Sequence, residues 1–146
     1  MFEANQGVVL GMAGQSVDDI LNNSDLEDPL DAMEQMIRWC HIAPTCPDTL
    51  GCFPYPDGTT DPFILDSPPK VFFAGNQKEF SYRKIQTTIR SGEILDTLLI
   101  ALPAFQAHKK ACLVNLMELD CEEILFDTEF DIPVPAPERI SPIPNN

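Results

Sequence analysis

Positive charge is scarce in this chain of 146 residues. Nine lysines and arginines stand against 23 aspartates and glutamates, a formal net charge of −14. DNA binding depends on neutralising phosphates with a basic stripe, so the composition argues against a direct nucleic-acid surface. The pair Lys109-Lys110 reads as a solvated turn, not a phosphate site. Long hydrophobic runs are also missing, and none approaches the roughly 18 apolar residues of a membrane-spanning helix. The N-terminal MFEANQGVVLGMAG has no basic region ahead of its apolar run, so it does not read as a secretory signal. There are five cysteines, an odd number with no Cys-x-x-Cys pair, which favours reduced thiols in a cytosolic or nuclear protein. Only two histidines occur, His41 and His108, far apart and on different predicted elements.

Proline is abundant, and its placement organises the chain. Between Arg38 and Phe63 lie Pro44, Pro47, Pro54, Pro56 and Pro62, with Gly51 and Gly58 between them. Each proline holds its own φ and biases the preceding residue away from the helical region. The segment therefore reads as a pre-shaped, extended loop that carries Leu50, Phe53, Tyr55 and Phe63 to a packing surface. A second proline-rich stretch, 128–146, alternates proline with acids and polar residues and reads as a disordered tail behind one domain at 1–127.

The rest shows mixed periodicity. Val8-Val9-Leu10 before Gly11 and Gly14 suggests a short buried strand and a tight turn. Ser16 with Asp19 suggests a helix start. Asp28, Pro29 and Asp31 give a clearer one, with Leu30, Met33 and Ile37 as an apolar stripe and Met36 and Cys40 on its flank. Val71-Phe72-Phe73, bounded by Pro69 and Gly75, reads as a buried strand. Lys84–Ile89 reads as a more exposed one, and Thr97–Leu102 as one covered on both faces. Cys112–Leu116 and Glu123–Phe126 suggest a hairpin around Leu119-Asp120.

The string His41-Ile-Ala-Pro-Thr-Cys-Pro-Asp-Thr-Leu-Gly-Cys-Phe-Pro-Tyr55, followed by Asp61-Pro-Phe-Ile64, resembles a signature of the small regulatory (B) subunits of eukaryotic DNA polymerase delta. Gly11–Ile20, Val71–Gln77, Ala101–Phe105 and Ala111–Leu116 resemble further family segments in the same order, the last two its final strands. The likeness covers roughly residues 8–127. It implies an α/β (α+β) fold, the C-terminal half of a calcineurin-like phosphoesterase β-sandwich flanked by helices and truncated at its N-terminus. It also implies a nuclear, non-catalytic scaffold that bridges the polymerase catalytic subunit and a further accessory subunit in replication and repair. DNA would be met only through the complex. Alternatives are the B subunit of polymerase alpha or epsilon, or a residual metal-dependent phosphoesterase.

In active phosphoesterases of this kind a Gly-His-x-His turn supplies metal ligands. The matching turn here is Gly75-Asn76-Gln77-Lys78, and an amide and an ammonium do not replace two imidazoles. No cofactor or metal is expected. Cys40, Cys46 and Cys52 near His41 have no common zinc spacing, and His41 is expected to serve as a structural hydrogen-bonding residue. Glu118, Asp120, Glu122 and Glu123 sit around a predicted turn, where acids are solvated instead of forming a catalytic pair. Phe53, Tyr55 and Phe63 are the candidate partner anchors, weighed against simple packing on their own domain. Family members carry an oligonucleotide-binding-type barrel and the first half of the phosphoesterase domain before the matched region. The resemblance thus implies a fragment, a truncated gene model or a short paralogue, with apolar strands left uncovered and poor stability alone.

Overall fold

The computed structural model describes residues 2–4, 7–52 and 61–126. Phe53, Tyr55 and the 128–146 tail lie outside the described residues. Five strands form a mixed sheet: β1 (Phe2–Ala4), β2 (Gly7–Met12), β3 (Val71–Gln77), β4 (Ser81–Thr88) and β5 (Ile94–Pro103), in the order β1-β2-β3-β5-β4. The central β2, β3 and β5 run parallel, and β1 and β4 flank them antiparallel. This is a mixed α/β architecture.

Side chains on a strand alternate between faces, and here both faces of the central strands are apolar. Leu10, Phe72, Ala74, Leu99 and Ala101 point to one core, while Val9, Val71, Leu98 and Ile100 point to the other. The first core is closed by α1 (Gln15–Asn22) and α2 (Pro29–Arg38), which lie between β2 and β3 in the chain. The second is covered by a two-stranded hairpin, β6 (Lys110–Asn115) and β7 (Asp120–Leu125), through Cys112, Val114, Leu116, Leu119 and Cys121. A one-turn helix, α3 (Phe105–His108), leads from β5 into the hairpin. The covering is incomplete: an apolar cavity of about 330 Å³ remains between sheet and hairpin, lined by Phe73, Leu102 and Val114 among others.

Several elements differ from their expected limits. Val71, Phe72 and Thr97–Ala101 are buried as their patterns predict, and the lids that the resemblance left missing are supplied by the helices and the hairpin. Gly75 does not bound β3 but lies inside it. Phe105 opens α3 instead of extending a strand, and Lys110 is no solvated turn: it belongs to β6 and pairs with Glu123 at 2.7 Å. Ser16 does not cap α1. Gly14 does, in the left-handed region at φ 97°, and no side chain caps the helix. Cys40 leaves the α2 stripe because the chain turns left-handed there (φ 54°), and its thiol is exposed. The Pro-rich loop is not extended throughout, since residues 44–49 form consecutive turns around a cis Cys46–Pro47 bond.

The start of α2 follows the sequence signal closely. The Asp28 carboxylate accepts the Leu30 N–H at 2.9 Å and Pro29 occupies the first turn. Arg83 of β4 reaches the same helix end and donates to Asp28 at 2.7 Å and Asp31 at 2.5 Å, with Glu34 at 3.6 Å. A half-exposed guanidinium on three acids ties the edge strand to the helix, and those acids hold its pKa up, Asp31 foremost. Asp28→Ala removes a cap and an ion pair together and is expected to cost about 1–2 kcal/mol in denaturant unfolding. Asp28→Asn keeps the cap and should recover most of that loss.

Candidate functional site

In open α/β sheets, ligands bind beyond the carboxyl ends of the parallel strands. Here those ends, Met12 to Gly14 after β2 and Gly75 to Lys78 at the close of β3, meet each other. The register of β3 against β5 shifts between Ala74 and Gln77, a bulge that places Asn76 in the left-handed region at φ 56°. Asparagine tolerates that conformation. Its amide donates to the Ala13 carbonyl at 2.9 Å, stitching the bulge to the β2–α1 junction. Gln77 is nearly fully buried, and its amide donates to the Gly75 carbonyl at 3.1 Å and to Asp18 of α1 at 3.3 Å. Lys78 stays exposed beside a groove of about 360 Å³ that also holds Asp18, Glu27, Asp28 and Glu79.

The chemistry of this edge is that of a fixed joint. Its amide N–H groups are directed at its own backbone and at α1, and the cation beside it, Lys78, is an ammonium, which repels metal ions. Among the described residues no three His, Cys, Asp or Glu side chains group closely enough to hold a metal ion. At the Gly75–Lys78 turn, Asn76 and Lys78 offer no imidazole to a metal ion.

The Pro-rich loop is anchored on the far side of α1. Thr49 donates to Asp19 at 2.6 Å, and the Thr45 and Thr49 hydroxyls keep the Asp19 carboxyl below its ordinary pKa. His41 clamps the two limbs of the loop: its Nδ1 accepts the Ala43 N–H at 3.1 Å, so its Nε2 donates to Asp61 at 3.1 Å. Asp61 also accepts the Phe63 N–H at 2.8 Å, and Ile42 N–H bonds the Phe63 carbonyl at 2.9 Å. With both ring nitrogens engaged in hydrogen bonds, His41 has no free nitrogen to join Cys40, Cys46 or Cys52, all unpaired thiols, around a metal ion. The half-buried Phe63 ring packs 6.1 Å from His41.

The Phe63 N–H bond, then the His41 bond, lowers the Asp61 pKa from 3.8. A carboxyl whose folded pKa is depressed stabilises the fold above its unfolded value and loses that effect as pH falls through the folded value. The Phe63 amide resonance should therefore titrate with a midpoint below 3.8; a midpoint at or above 3.8 would contradict the clamp.

Sequence reasoning named His41, the turn Gly75–Lys78 and, as a helix-start acid, Asp19, but gave no role to the Gln77 amide, Asp18 or Arg83. For Arg83 a signal existed: a cation on an amphipathic edge strand in a chain with few cations and an acid-rich helix start.

The family model of the DNA polymerase alpha/epsilon B subunit matches residues 1–82, more than half of the chain. The chain belongs to this B-subunit family. Among its relatives, the DNA polymerase delta small subunit of Oryza sativa is 38% identical over 130 residues, covering 89% of this chain and 29% of the relative. DNA polymerase delta subunit 2 of Drosophila melanogaster is 36% identical over 126 residues, 86% of this chain and 28% of the relative. The delta small subunit of Saccharomyces cerevisiae is 38% identical over 103 residues, 70% and 20% respectively. The B-subunit chain thus spans less than a third of the length of these relatives. Both the fixed joint and the loop clamp fall within or next to the segment that the family model matches.

Proposed function

We propose that this chain is, or belongs to, the small regulatory subunit of DNA polymerase delta: a nuclear, non-catalytic scaffold for DNA replication and repair. One observation carries the reading. Relatives at 36–38% identity across 86–89% of the chain bear the delta small-subunit name. The broader family model is described by alpha and epsilon, so the identity to delta relatives selects among the three polymerases. The role is to bridge the catalytic subunit, at its C-terminal domain, and a third accessory subunit. The acidic composition fits protein contacts better than DNA contacts, and DNA is reached through the complex. The fold in this reading is part of an inactivated calcineurin-like phosphoesterase domain. Asn76 and Lys78 at the β3 edge support that loss, because neither replaces a metal-binding imidazole.

Phe53, Tyr55 and Phe63 remain candidate anchors for a partner. Tyr55→Ala separates the two roles: lost binding with unchanged stability supports the anchor, and lost stability supports packing within the loop.

Co-expression of this chain, in its natural full-length context, with the delta, alpha and epsilon catalytic subunits tests the assignment. Recovery with the delta subunit is expected. Recovery with only the alpha or epsilon subunit overturns it, and stoichiometric bound manganese, iron or zinc with phosphodiester hydrolysis would favour a residual phosphoesterase.

A further inference from the structure

The chain holds two Ser-Pro steps, Ser67-Pro68 and Ser141-Pro142, and only the first has a cation three residues on, in Ser67-Pro68-Pro69-Lys70. That segment leads into β3 as an irregular crossing pinned at both ends. Upstream, Leu65 is buried and its N–H bonds the Cys40 carbonyl at 2.8 Å. Downstream, Pro69 is buried and its carbonyl accepts the Thr97 hydroxyl at 2.6 Å, while the Lys70 N–H bonds the Val8 carbonyl at 2.9 Å. Between the pins Asp66 and Ser67 are exposed, and the Ser67 hydroxyl has no hydrogen-bond partner among the described residues. Ser67 lines a groove of about 760 Å³ together with Lys70, Lys84, Gln86 and Asp96. Two of the nine cations of the chain thus stand on one groove beside an exposed hydroxyl. Lys84 pairs with Asp96 at 3.3 Å, whereas Lys70 has no carboxylate partner among the described residues.

We propose that Ser67 is phosphorylated by a proline-directed protein kinase and that Lys70 and Lys84 then hold the phosphate. Sequence and fold each supply half of this. A kinase cleft of that class accepts proline, which has no N–H to satisfy, directly after the serine, and meets a cation further on with acids of its own. Ser67-Pro68 offers the first feature and the half-buried Lys70 side chain the second. The group transferred is the γ-phosphoryl of ATP. Its bond to the Ser67 Oγ forms as its bond to ADP breaks, and the hydroxyl proton passes to the catalytic carboxylate of the kinase. The product brings a charge of about −1.5 to −2 and three acceptor oxygens into a groove with an unpaired ammonium. Across a chain of net charge −14 an added phosphate meets mostly like charge, but here it meets two cations. Lys70 directly precedes β3 and Lys84 lies in β4, so a phosphate bonded to both spans β5, the strand between them. This inference stands apart from the polymerase assignment and places a point of control on the same chain.

The test incubates the full chain with ATP and a purified kinase that selects proline at the next position and lysine at the third, followed by peptide mapping in a mass spectrometer. Phosphate at Ser67 is expected, and Ser67→Ala abolishes it. Lys70→Gln should slow the transfer roughly tenfold, the loss of one charge-assisted contact in the kinase cleft. Holding of the phosphate is read separately, on the Ser141→Ala chain, in which Ser67-Pro68 is the remaining Ser-Pro step. Its phosphorylated form should melt roughly 2–4 °C above the unmodified form at low salt, a gain that shrinks as salt screens the open groove. Lys84→Gln should leave the rate of transfer unchanged and remove much of that gain, each comparison being made between the two forms of one variant. Modification at Ser141 alone overturns the proposal, as does phosphorylation of a peptide of residues 62–73 without phosphorylation of the folded chain. Equal melting of the two forms, or a gain kept in Lys84→Gln, overturns it too. So does an unmodified Ser67 in a chain extended to the relatives' length, which would mean that the added part covers the groove.

Discussion

Gly14→Ala is expected to destabilise the fold by roughly 3–4 kcal/mol, although it adds a single methyl group. Gly14 caps α1 at φ 97°, a conformation that costs an L-residue about 1–2 kcal/mol. Space then adds to conformation. A Cβ at Gly14 would stand 2.1 Å from the Gly75 carbonyl oxygen and 2.6 Å from the Gln77 amide. The first of these is backbone, held in the β3 bulge, and has no rotamer by which to withdraw. The bulge must shift, and with it the Asn76 bond to Ala13 and the Gln77 bond to Asp18. The loss would take a large share of a domain's net stability of about 5–15 kcal/mol and lower the thermal midpoint by roughly 10 °C. Gly51→Ala is the control, since no atom of the described residues lies within 4 Å of its Cβ position. Calorimetry that finds the two variants alike would show that the joint is not rigid.

Phe72→Ala should cost about 3–5 kcal/mol, in the range of large-to-small changes in a packed core. The side chain has no exposed surface and belongs to the cluster with Leu10, Val17, Ile20, Met33 and Ile37, under both helices. Its removal leaves a void among residues of four elements that are held by their own ladders and helical turns, so little collapse can fill it. The helices pack on the sheet largely through this layer, and near-ultraviolet circular dichroism should fade before far-ultraviolet signal. Ile94→Ala, at a side chain 61% exposed, is expected to stay within about 0.5 kcal/mol. A Phe72→Ala loss below about 1 kcal/mol would mean that the helical layer is not the main support of the sheet.

Local patterns in the sequence were sufficient for some of this architecture. The Asp28-Pro29 start of α2 and its Leu30, Met33, Ile37 stripe were legible because capping and helical period act within a few residues. The continuous run Thr97–Leu102 announced a strand buried on both faces, which β5 is at Thr97–Ala101. The family, too, could be recognised from ordered motifs between Gly11 and Leu116, and the family model and relatives agree with it. Tertiary contact decided the rest. Ser16 had the chemistry of a cap, but Gly14 took that place because the β3 bulge lies against it, and no local rule reports a strand some 60 residues away. Asn76 and Ala13 bond across 63 residues, and Arg83 reaches Asp28 across 55. What covers Val71–Phe73 and Thr97–Leu102 was decided the same way, since a strand's pattern gives its two faces but not the elements that lie on them. Short-range sterics and hydrogen bonds wrote the elements into the sequence. Which element lies against which, and so which side chains can meet at a site, was settled only when both cores closed.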